Sequence, residues 1–328
     1  MDQSVGIVIP SYKNSRFLRR TVLSLFAQDW PHWQAVVVDD GSPEPSRDQI
    51  VDLLGTPQLR YFWKPNGGVA SARNFGWQKL PRELSYLMFL DGDDVLTPNA
   101  LRRMVEELLD HPRAGMVHCE PLLIDEEDNV ISDHQWPPRW TWGPRILEPT
   151  DRFTPFESIY TMAGLIPSLV MIRRESYEQT PGWDENFGQH CEDTDLFLHI
   201  ALRSTVRYLS EKLVCHRRHP MQSTATGDRF ARQEAKLYAK WHRLGKTCPE
   251  KRQIISRAEW FRIGPLAARR GLDEAQRYLV DGELRTALRF FLGAVRRKLR
   301  SMILGPEPGY DLRGDAPAIA SGTDLRPE

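Results

Sequence analysis

The sequence has few of the features that would assign it to several common protein classes. Only four of its 328 residues are cysteines and none forms a Cys-x-x-Cys pair, which argues against a structural zinc site or a disulfide framework and fits a reducing cytosol. Lysine plus arginine and aspartate plus glutamate both number 44, so no overall field of one sign points to a nucleic-acid partner.

Long apolar runs and targeting patterns are also lacking. No run approaches the roughly 18 apolar residues that a membrane-spanning helix needs. The first residues go straight into a strand pattern, without the charged and apolar regions of a secretory signal. We therefore expect a cytoplasmic protein that is soluble or peripheral at the inner face of the membrane.

Glycine-rich phosphate loops are absent as well. The chain has neither GxxxxGK[ST] nor a GxGxxG following a strand, which speaks against an ATPase or a dinucleotide enzyme. Without such a loop, any bound diphosphate would need a metal ion or nearby cationic side chains to hold it.

The chain is 41% hydrophobic, which is enough to bury a core.

The first part of the chain alternates between short β-rich runs and helical patterns. The run VGIVIP is typical of a strand buried on both faces, and the spacing of Phe17, Leu18, Val22 and Leu25 predicts a helix. This alternation predicts an α/β fold with a largely parallel sheet and helices on both faces. The predicted strands are 5–10, 33–42, 59–65, 85–91 and 114–120, and the predicted helices are 15–28, 48–55, 68–80 and 97–112.

The later sequence divides the chain into regions. Residues 121–160 read as a long excursion with a Trp-rich stretch at 134–145, and 164–203 read as a strand, a loop and a helix beginning near Glu192. Residues 206–220 resemble a final strand pair. We expect an α/β domain over 1–226, a helical region over 227–304, and a disordered tail rich in Pro and Gly over 305–328.

Three acids follow one predicted strand in the stretch FLDGDDVLTP. Asp91, Asp93 and Asp94 come at the carboxyl end of strand 85–91, the edge where parallel sheets bind ligands. Acids in such places can simply make turns or cap helices. Three carboxylates together repel one another unless a cation or hydrogen-bond donors offset their charge. An Asp-x-Asp turn therefore points to a hard divalent cation with phosphate among its other ligands.

Three more groups are candidates for the same site. Arg73 follows the Asn-Gly-Gly turn and is either a phosphate or base contact or an exposed helix arginine. Glu192 and Asp193 are either acids favoured by the helix dipole or include a general base across the cleft. In CHRRHP, His219 is either part of a solvated turn or a metal ligand, and the arginines are possible phosphate contacts.

Taken together, these motifs resemble the family 2 inverting glycosyltransferases of the GT-A fold. The matching stretches, in the family's order, are IVIPSYKNSRFLRRTVLSLFAQ, VVVDDGS, NGGVASARNFG, FLDGDDVLTPNAL and GWDENFGQHCEDTDL. The resemblance is dense over residues 5–101 and extends to about 220. It makes 1–226 the catalytic domain and implies a mostly parallel, Rossmann-like nucleotide-binding half.

The resemblance assigns donor contacts to individual residues. Pro10, Tyr12 and Asp40 match positions that hold the nucleobase of a nucleoside-diphosphate sugar, with uridine as the expected base. Arg73 matches a donor-contacting arginine, and Asp91 matches the first acid of the Asp-x-Asp pair, which holds the ribose and the metal.

The resemblance also implies the metal and the chemistry. Asp93, Asp91 and His219 match residues around a bound Mg²⁺ or Mn²⁺. Asp193 matches the general base, with Glu192 beside it in the Glu-Asp motif. A base takes the proton of an acceptor hydroxyl as it attacks the anomeric carbon, and a metal offsets charge on the leaving nucleoside diphosphate.

The resemblance has limits, and alternative functions stay open. The Trp-rich segment 134–145 has no counterpart, and the Gln-x-x-Arg-Trp signature of processive synthases is missing, so we expect a single addition to a glycan or lipid-linked acceptor. A nucleotidyltransferase would need a Gly-rich basic signature near the start, which IVIPSYKNS lacks. A catalytically inactive nucleotide-sugar-binding or scaffold protein on the same fold is the remaining alternative.

A basic amphipathic stretch lies near the end of the chain. In 283–304, apolar residues such as Leu288, Phe291 and Leu292 fall on one helical face, opposite arginines such as Arg289 and Arg296. Such a helix either packs on the catalytic domain or lies on an anionic membrane surface. The second possibility would suit a lipid-linked acceptor.

Overall fold

The computed structural model describes residues 3–13, 15–131, 154–162, 165–220 and 227–263, with a few further positions between 284 and 296. Its strands are β1 (Val5–Ser11), β2 (Trp33–Asp39), β3 (Leu59–Trp63), β4 (Tyr86–Phe89), β5 (Val95–Leu96), β6 (Ala114–Ile124), β7 (Val170–Arg173) and β8 (Thr205–Arg217). Its helices are α1 (Ser15–Phe26), α2 (Val69–Lys79), α3 (Ala100–Asp110), α4 (Pro155–Met162), α5 (Arg174–Glu178), α6 (Glu192–Ala201), α7 (Gly227–Thr247) and α8 (Pro249–Ile263).

The strands form one sheet of eight in the order β3-β2-β1-β4-β7-β6-β8-β5. The pairs among β3, β2, β1 and β4 are parallel, and β6 pairs in parallel with β8. The short strand β7 runs antiparallel between β4 and β6, and β5 pairs antiparallel with β8. The carboxyl ends of β1, β2, β3 and β4 therefore share one edge of the sheet.

Successive side chains along a strand point to opposite faces of the sheet and pack into two hydrophobic cores, one on each face. In β1, Val8 enters the core that also contains residues of α2, α4, α6, α7 and α8, whereas Ile7 and Ile9 enter the core with α1 and α3. Because both faces are covered by helices, the central strands carry apolar residues in continuous runs, as the sequence indicated. The predicted α/β class, a sheet with helices on both faces, is confirmed.

Several predicted boundaries were wrong. The predicted helix 48–55 is two short 3-10 turns, Ser46–Gln49 and Val51–Leu53, and the predicted pair 206–220 is the single strand β8. Helix α3 begins after Asn99 rather than at Thr97, whose carbonyl accepts a turn hydrogen bond from the N–H of Ala100. The boundaries of helices and strands depend on capping contacts, which cannot be read from the spacing of apolar residues.

The helices α7 and α8 pack into the same core as the sheet. Leu237 and Trp241 of α7 and Ile255 of α8 are fully or almost fully buried there. Arg257 of α8 also forms a buried ion pair with Glu157 of α4, at 3.2 Å. The described helices after residue 226 therefore share a core with α2, α4 and α6.

Some predicted features lie outside the described residues: the Trp-rich segment 134–145, the tail 305–328, and most of 264–304. Within the part of the chain that the structure describes, no helix is both long and apolar enough to cross a membrane. All four cysteines lie in that part and are free thiols.

Candidate active site

The end of β2 supplies two buried acids with separate tasks. Asp39 accepts hydrogen bonds from the N–H groups of Ser42 and Ser46 and from the hydroxyl of Tyr61, at 2.7–2.9 Å. Burial alone would raise the pKa of Asp39, but these donors hold it below its ordinary value. Asp39 therefore shapes the turn that follows β2.

Asp40 holds the neighbouring turn. Its carboxylate accepts from Lys64 Nζ at 2.6 Å and from the N–H groups of Gly67 and Gly68 at 3.0 and 2.8 Å. The two glycines lead into α2, and Gly68 has a φ of 89°, a conformation that favours glycine. Asp40 thus fixes the position where α2 begins, and its role as a base contact stays a prediction.

The end of β1 leads to the same edge of the sheet. Pro10 is buried in β1 opposite Val38 of β2, and the next two residues lead out of the strand. Tyr12 is exposed just beyond the strand end, and Lys13 Nζ lies 4.9 Å from the centre of its ring. The donor contacts of Pro10 and Tyr12 stay predictions.

The turn after β4, residues 91–94, is called the acidic turn here, and its buried residue Asp94 holds it in place. This side chain is fully buried and lies 3.0 Å from His216 Nδ1, and it accepts from the N–H of Arg217 at 3.1 Å. The N–H of Asp94 donates to the carbonyl of Asp91, closing the turn. Asp94 is thus the anchor of the turn, a role that the sequence left open.

The end of β8 provides the rest of this support. Arg217 is fully buried and donates to the carbonyls of Asp93 and Asp125, at 2.9 and 2.8 Å. It also pairs with Asp128. The suggestion that the arginines of CHRRHP contact phosphate is therefore wrong for Arg217, whose guanidinium is committed to the protein beneath the acidic turn.

Asp91 and Asp93 are the accessible acids of the turn. The side chain of Asp91 is 30% exposed and that of Asp93 is 19% exposed. Asp93 Oδ2 lies 2.9 Å from His219 Nε2, so the structure brings the predicted second acid and the predicted histidine together. His219 packs against the ring of Phe17, which orients the imidazole.

Arg73 joins the two acidic motifs. It donates from Nη2 to Asp91 at 2.8 Å and from Nη1 to Glu192 at 3.1 Å, and its guanidinium stacks on the ring of Trp183 at 4.3 Å. Burial alone would lower the pKa of Arg73, but Asp91 and Glu192 raise it, so the guanidinium stays charged. Two acids about a hundred positions apart in the sequence therefore meet on one arginine.

The Glu-Asp motif begins helix α6. The preceding residues His190 and Cys191 have φ values of 80° and 69°, rare for residues with a side chain. Asp193 Oδ1 accepts from the N–H and the hydroxyl of Thr194 at 2.6 and 3.2 Å, and the other oxygen accepts no hydrogen bond within the described ranges. One oxygen is thus held while the other is available to a ligand.

The acids of this motif have raised pKa values. Burial and the neighbouring Asp193 raise the pKa of Glu192 to about 7, against the opposing charge of Arg73. Glu192 Oε2 is buried without a hydrogen-bond partner among the residues that the structure describes. Burial also raises the pKa of Asp193, although Thr194 and Arg73 oppose the shift. Such shifts are typical of functional carboxylates.

The accessible acids and the histidine suit a divalent cation. Oxygen ligands from Asp91 and Asp93 with one imidazole nitrogen from His219 are a donor set that Mn²⁺ and Mg²⁺ accept. In the described ranges no group of three or more such side chains is arranged to enclose a metal ion. One oxygen of Asp91 is also committed to Arg73. A cation here would therefore draw its remaining ligands from water or substrate.

Sequence reasoning missed the polar contacts that support α6 from behind. Asp195 and Asp184 both pair with Lys240 of α7, at 2.6 and 2.7 Å. Asp195 lies in the first turn of α6, two residues after Asp193. Lys240 lies in a helix rich in basic residues, and nothing in the local pattern singles it out.

Comparison with solved structures defines the class of fold. Staphylococcus aureus TarS in complex with UDP-GlcNAc matches with a TM-score of 0.58 at 15% identity, over 90% of this chain and 92% of that chain. The mannosyltransferase PcManGT of Pyrobaculum calidifontis, in complex with GDP-Man and Mn²⁺, also gives 0.58, at 19% identity over 92% and 77%. The fold is therefore that of GT-A glycosyltransferases, as expected.

Sequence comparison then gives the family. Residues 6–180, more than half of the chain, match the model of glycosyl transferase family 2, and the chain belongs to this family. The succinoglycan biosynthesis protein ExoW of Rhizobium meliloti is 40% identical over 98 residues, which are 29% of this chain and 31% of ExoW. The chain spans two thirds or less of the length of such curated relatives, several of them uncharacterized glycosyltransferases of Rickettsia.

Proposed function

We propose that the chain is an inverting, metal-assisted glycosyltransferase that transfers a sugar from a nucleoside-diphosphate sugar to a hydroxyl of a glycan or lipid-linked acceptor. The observation that carries the proposal is the meeting of Asp91 and Glu192 on the buried Arg73. This contact brings the acidic turn and the first turn of α6 together, which supports the proposal that they flank one cleft. A donor on one side and a base on the other are what direct displacement at an anomeric carbon requires.

Asp193 is the proposed general base. Its Oδ1 is fixed by Thr194, and its Oδ2 is left to accept the proton of an acceptor hydroxyl. The raised pKa increases the basicity of the carboxylate, which suits a proton acceptor in the transition state. The positive charge of Arg73 opposes the shift and favours the ionised form that the reaction needs.

Asp93 and His219, with Asp91, are the proposed holders of the divalent cation. When bound, Mn²⁺ or Mg²⁺ would supply charge stabilisation for the departing nucleoside diphosphate. The protein's own contribution is to hold these side chains in place. Asp94 and Arg217 fix the turn from beneath, and Phe17 packs against the imidazole of His219.

The proposed donor is a UDP-sugar, as in the complex of TarS with UDP-GlcNAc, and a GDP-sugar, as in PcManGT, is the alternative. The proposed acceptor is a glycan, in line with the name of ExoW as a succinoglycan biosynthesis protein. A thermal-shift screen of UDP, GDP, UDP-GlcNAc and GDP-Man, each with and without Mn²⁺, tests the donor. A Mn²⁺-dependent rise in melting temperature with only the uridine or only the guanosine compounds identifies the nucleobase of the donor. If none of the four compounds raises the melting temperature, nucleotide-sugar binding is contradicted.

Asp193→Asn tests the base. We expect turnover to fall at least about a hundredfold while nucleotide affinity stays within about twofold, because the amide cannot accept the proton. The control is Asp110→Asn, an exposed acid at the end of α3. If Asp193→Asn keeps the turnover of the unaltered chain, Asp193 is not the base.

Asp93→Ala tests the cation site. Calorimetry with UDP and Mn²⁺ should show a loss of affinity of at least about tenfold, because a charged ligand is removed. Binding of UDP without a metal should change little. Equal affinity for UDP and Mn²⁺ before and after the substitution would remove Asp93 from the site.

Peripheral membrane contact through 283–304 is a further part of the proposal. Among the few described positions of this stretch, Leu284, Leu288, Phe291, Leu292 and Val295 are exposed and helical. An exposed apolar face on a basic helix suits an anionic lipid surface. Flotation with vesicles containing phosphatidylserine should recover the full chain and not the chain lacking 283–304. Equal recovery of both would contradict membrane contact through this stretch.

A further inference from the structure

Lys240 of α7 lies between two acids that flank the Glu-Asp motif. Its Nζ is 2.6 Å from Asp195 Oδ2 in the first turn of α6 and 2.7 Å from Asp184 Oδ2 in the preceding loop. Asp195 is only 1% exposed, whereas the Lys240 side chain is 29% exposed. One ammonium group therefore ties together the loop before Asp193 and the helix turn that contains it.

Trp241 completes the contact between α7 and α6. It is fully buried, and its indole N–H donates to Asp195 Oδ1 at 3.0 Å. Both oxygens of Asp195 are thus bound by consecutive residues of α7. A carboxylate bound at both oxygens holds the first turn of α6 against rotation about its axis as well as against translation.

The loop before α6 is also held from the opposite side, by α2. Asn74 donates to the carbonyl of Trp183 and to Glu185, both at 2.9 Å, and accepts from the N–H of Trp183 at 3.1 Å. The loop is therefore fixed between α2, which carries Arg73, and α7, which carries Lys240.

The backbone between the loop and α6 needs such support. His190 and Cys191 have φ values of 80° and 69°, conformations that are strained for residues with a side chain and persist only where surrounding contacts impose them. Lys240 contacts the chain on both sides of this pair, at Asp184 and at Asp195. Loss of Lys240 would let these two residues relax and carry Asp193 with them.

We infer that Lys240 is a positioning residue, which acts through Asp184 and Asp195 to set the place of the Asp193 carboxylate in the cleft. The inference rests on the proposed function, in which Asp193 is the base. It also makes α7, which lies beyond the matched family region 6–180, part of the catalytic unit. A displacement of about 1 Å at a catalytic group can cost on the order of a hundredfold in rate.

Hydrogen exchange on the full chain tests the positioning directly. In Lys240→Met, we expect the amides of 190–197 to exchange at least about tenfold faster, with β1 and β4 unchanged. Two controls separate a local effect from general destabilisation. Lys236→Met changes an exposed lysine of the same helix, and Arg257→Met breaks a buried ion pair that joins α8 to α4 instead of α6.

Faster exchange confined to 190–197 in Lys240→Met supports the inference. Unchanged exchange there, or the same increase in Arg257→Met, overturns it. Because this readout does not depend on turnover, it decides the positioning role even if Asp193→Asn shows that the proposed base is wrong.

Kinetics then test the consequence for the reaction. With the donor selected by the thermal-shift screen, kcat of Lys240→Met should fall about tenfold to a hundredfold, while the Kd for UDP with Mn²⁺ stays within about twofold. Lys240→Arg, which keeps the charge, should recover most of kcat. An unchanged kcat in Lys240→Met, or equal losses of kcat and of UDP affinity, would contradict the inference.

Discussion

Arg73 is the residue through which the two halves of the candidate site depend on each other. Because it is buried and contacts Asp91 and Glu192, its removal leaves Glu192 buried and without its cation. We predict that Arg73→Met lowers the free energy of unfolding by about 3 kcal/mol, the usual cost of breaking a buried ion pair, and abolishes turnover. Urea denaturation and donor turnover measure the two effects.

The matched control for Arg73 is Arg102, which also contacts two acids. Arg102 pairs with Asp29 and Glu106, but its side chain is 37% exposed. Arg102→Met should therefore cost much less stability than Arg73→Met, because exposed pairs are screened by solvent. Similar losses in the free energy of unfolding for the two variants would show that burial of the Arg73 contacts contributes nothing to stability.

Glu192 gives the site a dependence on pH. Its pKa is raised from 4.5 to about 7, so the folded protein binds this proton more tightly than the unfolded chain does. The resulting stability is fully present below pH 4.5 and is lost as the pH rises through 7. We predict that the free energy of unfolding falls less between pH 4.5 and 7.5 in Glu192→Gln than in the unaltered chain. Urea denaturation at both pH values measures the difference, and identical slopes would contradict it.

At the residue scale, motifs predicted which side chains to consider but not what they touch. Asp91, Asp93, Glu192 and Asp193 follow from acids at element ends. The pairing of Arg73 with two of them depends on where α2 packs. The same holds for Asp94, whose anchoring role requires the end of β8, more than a hundred residues later in the chain.

At the element scale, the close packing of α2 on the sheet sets the position of Arg73. Gly76 faces β1 and β2, and a Cβ there would come within 2.4 Å of Val8 Cγ1 and 3.0 Å of Val38 Cγ2. Both valines are fully buried and stiff at χ1, so the helix itself would have to move.

We predict that Gly76→Ala lowers the free energy of unfolding by about 1–3 kcal/mol through overpacking. It should also weaken turnover more than its stability loss alone would explain, because α2 carries Arg73. Gly55→Ala is the control, since a Cβ there meets nothing within 4 Å. Thermal denaturation and turnover measured well below each midpoint test this, and equal effects of the two alanines would contradict it.

The strands β1, β2 and β4 could be predicted because each is a local run buried on both faces, whereas β3 at the edge of the sheet is only partly buried. The order of the sheet could not be predicted. The antiparallel β7 is inserted between β4 and β6, and its four residues carry no signal of which strands they will join. The short β5 was not predicted at all, since its two residues pair only because β8 passes beside them.

At the scale of the whole molecule, the sequence indicated a boundary near residue 226 because the composition changes there. Periodicity predicted helices beyond it but not their partners. In the structure α7 and α8 fill one side of the core, with Leu237, Trp241, Ile255 and Ala258 buried against α4 and α6. The division of the chain into folding units at 226 stays a prediction that truncation can test.

We predict that a chain truncated after residue 226 does not fold cooperatively. Truncation would expose the core beneath α7 and α8 and would remove the cations that pair with the buried Asp195 and Glu157. A chain truncated after residue 304 is the control, because it loses only the Pro- and Gly-rich tail. Urea denaturation and calorimetry with UDP and Mn²⁺ should show one cooperative transition and full affinity for 1–304, and neither for 1–226. If 1–226 unfolds cooperatively and binds UDP as well as 1–304 does, then α7 and α8 form a separable appendage, and the support they give to α6 is dispensable for holding the nucleotide.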